Sequence, residues 1–258
     1  MQSLVIIPTF NEKLTLEPLA RELLSQDPGL DVLVVDDASP DGTGYIADQL
    51  ASETGRVHVL HRSGKLGLGT AYVEGFRYAL EHGYARVLEM DADFSHRPVD
   101  VPRLLAATDR ADVVVGSRAV PGSSIVGWSP LRHVVSKGGS LYARWMLDLP
   151  IGDCTSGFKC FRREALEVLP LEALRSNGYA FQVEVNYACA SAGLRFAEVP
   201  IVFADRTQGK SKMSWQIVAE AMLIVTELRL GLRSLPLDRR QAVHPEIRRA
   251  ARLQDVNA

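Results

Sequence analysis

RVLEMDADFSH, residues 86–96, starts as a strand and ends on two carboxylates. Most of Val87–Met90 is apolar and reads as buried. Asp91 and Asp93 follow, one alanine apart. On a strand, residues i and i+2 share a face. Two negative charges so placed repel each other unless something positive lies between them. An isolated D-x-D is more often a solvated acidic loop than a site, so its setting must decide.

That setting is an alternation. LVIIP (4–8), DVLVVDD (31–37), VHVLHR (57–62), RVLEMD (86–91) and DVVVGSR (112–118) are short runs rich in Val, Leu and Ile. Helical patterns lie between them, over Leu14–Ser25, Gly42–Ser52, Gly69–Glu81 and Pro98–Thr108. SPDGT (39–43) supplies turn residues ahead of the second helix. Strands alternating with helices predict an α/β fold, a mostly parallel sheet with helices on both faces. Ligands of such sheets sit outside the carboxyl ends of the strands. PTFNE, DDASPDGT, DADFSH and GSR all fall there. Further on, 179–193 reads as a helix, 194–206 as one strand carrying Pro200 at an edge or bulge, and 214–232 as a helix.

Bulk properties fit one large α/β domain, or a domain with a smaller appendage. The chain has 258 residues, is 47% hydrophobic and carries a formal charge of −2. That size suits one core, and that charge argues against general nucleic-acid binding. Cys154, Cys160 and Cys189 form no C-x-x-C pair, which suits a reducing compartment. The start, MQSLVIIPTFNE, has no signal-peptide pattern. No stretch supplies the ~20 mainly apolar residues of a membrane span.

GKLGLGTAY (64–72) invites a phosphate-loop reading. It lacks the Gly-Lys-Ser/Thr ending, and Tyr72 stands where G-x-G-x-x-G needs its last glycine. A loop opening a helix and a ligand-lining loop stay equally open. The acidic pair offers hard oxygen ligands, and Mg²⁺ or Mn²⁺ is typically held by one or two carboxylates plus substrate phosphates. Cations are near at hand. Arg118 follows a strand; Arg132 and Ser136 share a helix face at i, i+4; Arg206 and Lys212 frame RTQGKSK. Each alone is more often a solvated charge. Together they suit phosphate oxygens, which guanidinium forks match bidentately.

IIPTFNE, VVDDASPDGT, KLGLGTAY, MDADFSH, GSR, SGFKCFRREAL and EVPIVFADRTQGKSKMS, in that order over about residues 3–215, resemble the dolichol-phosphate (polyprenol-phosphate) mannosyltransferases of glycosyltransferase family two. The resemblance implies a GT-A (Rossmann-like) fold. It implies a nucleoside pocket of Pro8, Phe10, Glu12, Val35 and Asp37, with phenylalanine where the family often has tyrosine. Asp91, Ala92 and Asp93 match the metal and diphosphate motif. Archaeal-type members often carry glutamine as third metal ligand where this chain has Ser95, so that ligand stays open between Ser95 and water. Arg118, Arg206 and Lys212 resemble the contacts to the donor diphosphate, and Arg132 and Ser136 those to the acceptor phosphate. Residues 130–147 resemble an interfacial helix. YARWM (142–146) is similar to the Arg-Trp motif of processive polysaccharide synthases, but Leu141 stands where that motif has glutamine.

The resemblance implies an enzyme that moves mannose from GDP-mannose to a polyprenyl monophosphate with inversion, using Mg²⁺ or Mn²⁺. The rival donor is UDP-glucose or another UDP-sugar. A remoter rival is a non-catalytic scaffold that binds sugar nucleotides, against which the intact charged set argues. The expected organisation is a catalytic domain over 1–215, an amphipathic helix over 216–235 and a basic, disordered tail over 236–258. The expected place is cytoplasmic, peripheral on the inner face of the membrane. There an integral membrane protein is a possible partner.

Overall fold

The computed structural model describes residues 2–205, 215–233 and 235–236. The runs of β-branched residues form a seven-stranded sheet in the order β3-β2-β1-β4-β7-β5-β8. Its parallel members are β1 (Ser3–Thr9), β2 (Leu30–Asp36), β3 (Val57–His61), β4 (Arg86–Glu89), β5 (Val113–Ser117) and β8 (Phe196–Pro200). Side-chain alternation divides each strand between two cores. Val5 and Ile7 of β1 face α1 (Leu16–Gln26), α2 (Thr43–Thr54) and α4 (Val101–Ala107). Leu4 and Ile6 face α3 (Leu68–Glu81) and α7 (Gly178–Ser191). With both faces covered, alternation of polar with apolar residues is lost and the strands are apolar throughout, as in doubly covered parallel sheets.

One strand was not anticipated, and one expectation changes. First, β7 (Lys159–Arg162) enters between β4 and β5 and runs antiparallel to both. KCFR is too short and too charged to announce a central strand; in place, it sets Lys159 opposite Glu89 of β4 and buries Cys160 and Phe161 in the two cores. Second, 194–206 is not one strand. β8 pairs with β5 at the sheet edge, and β9 (Val202–Ala204) leaves to pair with β6 (Ser124–Val126) in a separate two-stranded sheet. Pro200 ends β8 where its missing donor costs no ladder bond. α6 (Arg163–Glu167) follows β7 directly.

α5 (Pro130–Leu147) and α8 (Trp215–Arg229) pack with α7 around a third apolar cluster of Ala143, Leu147, Val183, Ile224, Val225 and Leu228. Ser129 caps α5 by accepting from the Arg132 backbone, and Pro130 begins it, where a missing N–H costs nothing. Among the described residues, no helix is long and apolar enough to cross a membrane.

The glycines of 64–72 now have a packing reason. Gly67 has φ +104°, and a Cβ there would strike the Asn177 side chain. A Cβ on Gly69 would collide with the Ser176 carbonyl and the Phe181 ring. The loop opens α3 and lets the segment before α7 lie against it. Gly67 also lines the cleft described next, so both readings of this loop hold in part.

Candidate functional site

The parallel strands end along one edge, and their following loops enclose a cleft of about 290 Å³. Pro8, Phe10 and Glu12 come from the end of β1, Asp37 from β2, Asp91–Asp93 and Ser95 from β4, and Arg118 from β5. At the β1–β2 end of the cleft, the Asp37 carboxylate pairs with the buried Arg62 at 2.9 Å. Its other oxygen accepts from the backbone of Leu66 and Gly67 at 3.2 and 3.3 Å. Lys65 lies 4.3 Å from the centre of the Phe10 ring. Val35 departs from its expected place. Its side chain is wholly buried in the core with Leu33 and Tyr72, in register with Pro8 on the neighbouring strand.

The acidic pair lines the cleft by a different route from the one its spacing predicted. β4 ends at Glu89, so Asp91 and Asp93 lie beyond the strand, in a turn. Phe94 has φ +60°, a left-handed conformation that few side chains favour. Asp93 is buried and accepts from the Ser95 backbone at 3.0 Å. The Ser95 hydroxyl is also buried and has no hydrogen-bond partner in the structure. Among the described residues, no three His, Cys, Asp or Glu side chains gather as a metal cage. Two carboxylates and an orphaned hydroxyl around an open cleft instead fit a hard cation that takes its other ligands from water and substrate.

The cationic wall is braced by carboxylates. Arg118 donates to Asp153 from Nε and from Nη2, each at 2.7 Å, and from its backbone at 2.9 Å. Burial opposes the charge on both. The pairing outweighs it, so the Arg118 pKa is raised and the Asp153 pKa lowered. Glu198 of β8 accepts from the Gly152 and Asp153 backbone and fixes that loop. Arg132 reaches the cleft from α5, 4.3 Å from the Trp128 ring, and donates to Asp205 at 2.6 Å. Its i, i+4 neighbour Ser136 lines a second groove instead. Arg206 and Lys212 lie outside the described residues.

This second groove, of about 310 Å³, is walled mostly by apolar groups of α5, α7 and α8. Arg118, Thr155 and Tyr179 line both it and the cleft, so the two adjoin. On the outer surface of α5, Leu131, Val134, Leu141 and Trp145 form a stripe, with Trp145 77% exposed, and Met222 and Leu223 of α8 are exposed too.

Asp153, Trp128, Tyr179 and Gln182 were not singled out from the sequence as site residues. Asp153 is 35 positions from Arg118, and a lone Asp after Ile-Gly has no pattern to reveal it. Gln182 lines the cleft and accepts from the buried Lys159, which also faces Glu89 at 3.5 Å. Burial raises the Glu89 pKa, and Lys159 and then Gln182 offset part of the rise.

Removing the brace has a predictable cost. Asp153→Ala leaves the buried Arg118 guanidinium unpaired and should destabilise the protein by about 3–5 kcal/mol, read as a lower urea midpoint. An unchanged midpoint would show that the pair is not structural. Because the Asp153 pKa is lowered on folding, its contribution is present above the ordinary carboxylate range of about 4 and lost as pH falls below it.

The glycosyl transferase family 2 model matches residues 4–169. The chain is 50% identical to the undecaprenyl-phosphate mannosyltransferase of Micrococcus luteus, over 90% of this chain and 96% of that one. It is 45% identical to the polyprenol monophosphomannose synthase of Mycolicibacterium smegmatis, over 94% and 91%. Among solved structures it resembles glucosyl-3-phosphoglycerate synthase of Mycobacterium tuberculosis with Mn²⁺ and UDP-glucose (TM-score 0.62, 18% identity, 92% of this chain and 81% of that one). It also resembles a Pyrobaculum calidifontis mannosyltransferase with GDP-mannose and Mn²⁺ (TM-score 0.58, 20% identity, 91% and 66%). At those identities the structural likeness speaks to the GT-A fold alone, whereas sequence similarity along nearly the whole length speaks to descent. The chain belongs to glycosyl transferase family 2, in the branch of the polyprenyl-phosphate mannosyltransferases.

Proposed function

We propose that this enzyme transfers mannose from GDP-mannose to a polyprenyl monophosphate with inversion at the anomeric carbon. The observation that carries the reading is the junction of a cleft lined by carboxylates and arginines with an apolar groove. A sugar nucleotide suits the first and an isoprenoid chain the second. The full-length similarity to mannosyltransferases acting on such lipids favours this acceptor.

The residues present divide the work. Pro8, Phe10, Glu12 and Asp37 would hold the nucleoside. Asp91, Asp93 and Ser95 would hold Mg²⁺ or Mn²⁺, which when bound neutralises the leaving diphosphate as a Lewis acid. Arg118, with Arg206 and Lys212, would meet the donor phosphates. Arg132 and Ser136 would hold the acceptor phosphate, with Arg132 exchanging Asp205 for it. A phosphate monoester loses its second proton at about pH 6, so at neutral pH the acceptor is already a nucleophile. The protein need not remove a proton. It must bring two anions together in line and neutralise them. Backside displacement of GDP from an α-linked donor gives a β-mannosyl phosphate.

The direct assay incubates the pure protein with labelled GDP-mannose, polyprenyl phosphate and Mg²⁺, followed by lipid extraction. Labelled lipid is expected from wild type and none from Asp93→Ala or in excess chelator. Label arising from UDP-glucose instead would reassign the donor. Arg132→Ala should raise the acceptor KM about tenfold to a hundredfold, the worth of a charge-assisted hydrogen bond. Calorimetry should show GDP-mannose binding unchanged, and a loss confined to the donor would refute the assignment.

The reading also places the protein on the cytoplasmic membrane surface, reached through the apolar stripe of α5. Lys137 and Arg144 on the same helix are exposed and would each add at most about 1 kcal/mol of attraction to anionic lipid. Flotation with anionic liposomes should therefore succeed at low salt and weaken as salt rises. A protein that never floats would need a membrane partner to bring it there.

A further inference from the structure

Gly138 and Gly139 lie in the middle of α5, where glycine weakens a helix relative to alanine. Two local reasons usually account for such a glycine. One is a left-handed backbone, and neither residue has positive φ. The other is close packing, and a Cβ built on either would meet nothing within 4 Å. The contrast within this chain is sharp. Gly67, Gly69, Gly75 and Gly116 each have a neighbour that a Cβ would strike. Nothing within the described residues asks for glycine at 138 and 139.

What both positions face is the apolar groove. Arg132, Ser136, Gly139 and Ala143 follow one another at i, i+4, i+7 and i+11, along one face of α5. The first lines the cleft and the other three line the groove. Along about 16 Å of helix the face passes from a guanidinium to a hydroxyl, then to bare backbone, then to a methyl. Val183 of α7 and Ala221, Met222 and Val225 of α8 supply the facing walls, and the Tyr142 hydroxyl meets Thr226 at 3.0 Å across α5 and α8. A linear amphiphile with an anionic head fits that gradient, and the bare backbone comes directly after the head.

We propose that Gly138 and Gly139 are kept free of side chains to give clearance to the first isoprene units of the acceptor, beside its phosphate. They thereby set acceptor affinity at the expense of helix stability. This rests on the reading above that the groove takes a polyprenyl phosphate. Chain clearance and fold stability then pull in opposite directions at the same two positions, which a merely structural glycine does not predict.

The test uses the purified full chain with Gly138→Ala, Gly139→Ala and Gly139→Leu. Melting temperatures should rise by about 2 °C for the alanine variants. The KM for a long-chain polyprenyl phosphate should rise, by about tenfold or more for Gly139→Leu, with kcat much less changed and the calorimetric affinity for GDP-mannose within about twofold of wild type. The alanine variants keep the proposal testable should the leucine fail to fold. A raised melting temperature with an unchanged acceptor KM in all three would overturn the clearance role. A wild-type protein that transfers no sugar to any polyprenyl phosphate would instead overturn the reading on which that role rests.

Discussion

Arg118 held by Asp153 is the contact on which the geometry of the cleft depends. A guanidinium at the end of a central strand, with its carboxylate partner in a loop that Glu198 pins in turn, is a cation whose position is fixed before any ligand arrives. Because both charges are buried, each is costly without the other. Arg118 lines both the cleft and the groove, so fixing it fixes their junction.

Carboxylates recur behind the cations of this protein. Asp37 pairs with Arg62 behind the β1–β2 wall of the cleft, Glu89 with Lys159 beneath the acidic turn, and Asp205 with Arg132 at the mouth. The partners differ in how deeply they are sealed. Lys159 and Glu89 are wholly buried, whereas the Asp205 side chain is 39% exposed. The Lys159–Glu89 pair is scaffold, since both its side chains are sealed from solvent. The outer pair is open to solvent on its Asp205 side. The same kind of pair thus occurs both sealed in the core and open at the cleft mouth.

α5 joins the two halves of the chemistry. Its buried face contributes Ala143 and Leu147 to the third core, its groove face runs from Arg132 to Ala143, and its outer face carries the exposed Leu and Trp stripe. One helix can do all three because residues 100° apart around the axis reach different surroundings. Apolar residues on two of its faces are more than folding alone needs, and the excess is what an isoprenoid and a lipid surface would use.

The parallel α/β sheet and the loops that carry the site were legible in the sequence, because apolar runs and turn residues are local signals. So was the grouping of Pro8, Phe10, Glu12, Asp37, Asp91, Asp93 and Arg118 at one edge, which follows from strand direction. What escaped local reading is set by partners distant in the chain. KCFR is an inner antiparallel strand between β4 and β5, where Lys159 meets Glu89, 70 positions earlier. Val35 turned out to be core, because the faces of a strand buried on both sides look alike in sequence. Asp91 and Asp93 lie past the strand, since β4 ends at Glu89, two residues before the first and four before the second. The sequence by itself thus determined the fold class and the chemical types at the cleft. Only the tertiary structure decided which carboxylate braces Arg118 and where an apolar groove opens beside it. Long-range pairing of buried charges and the packing of three helices leave no local pattern in the chain.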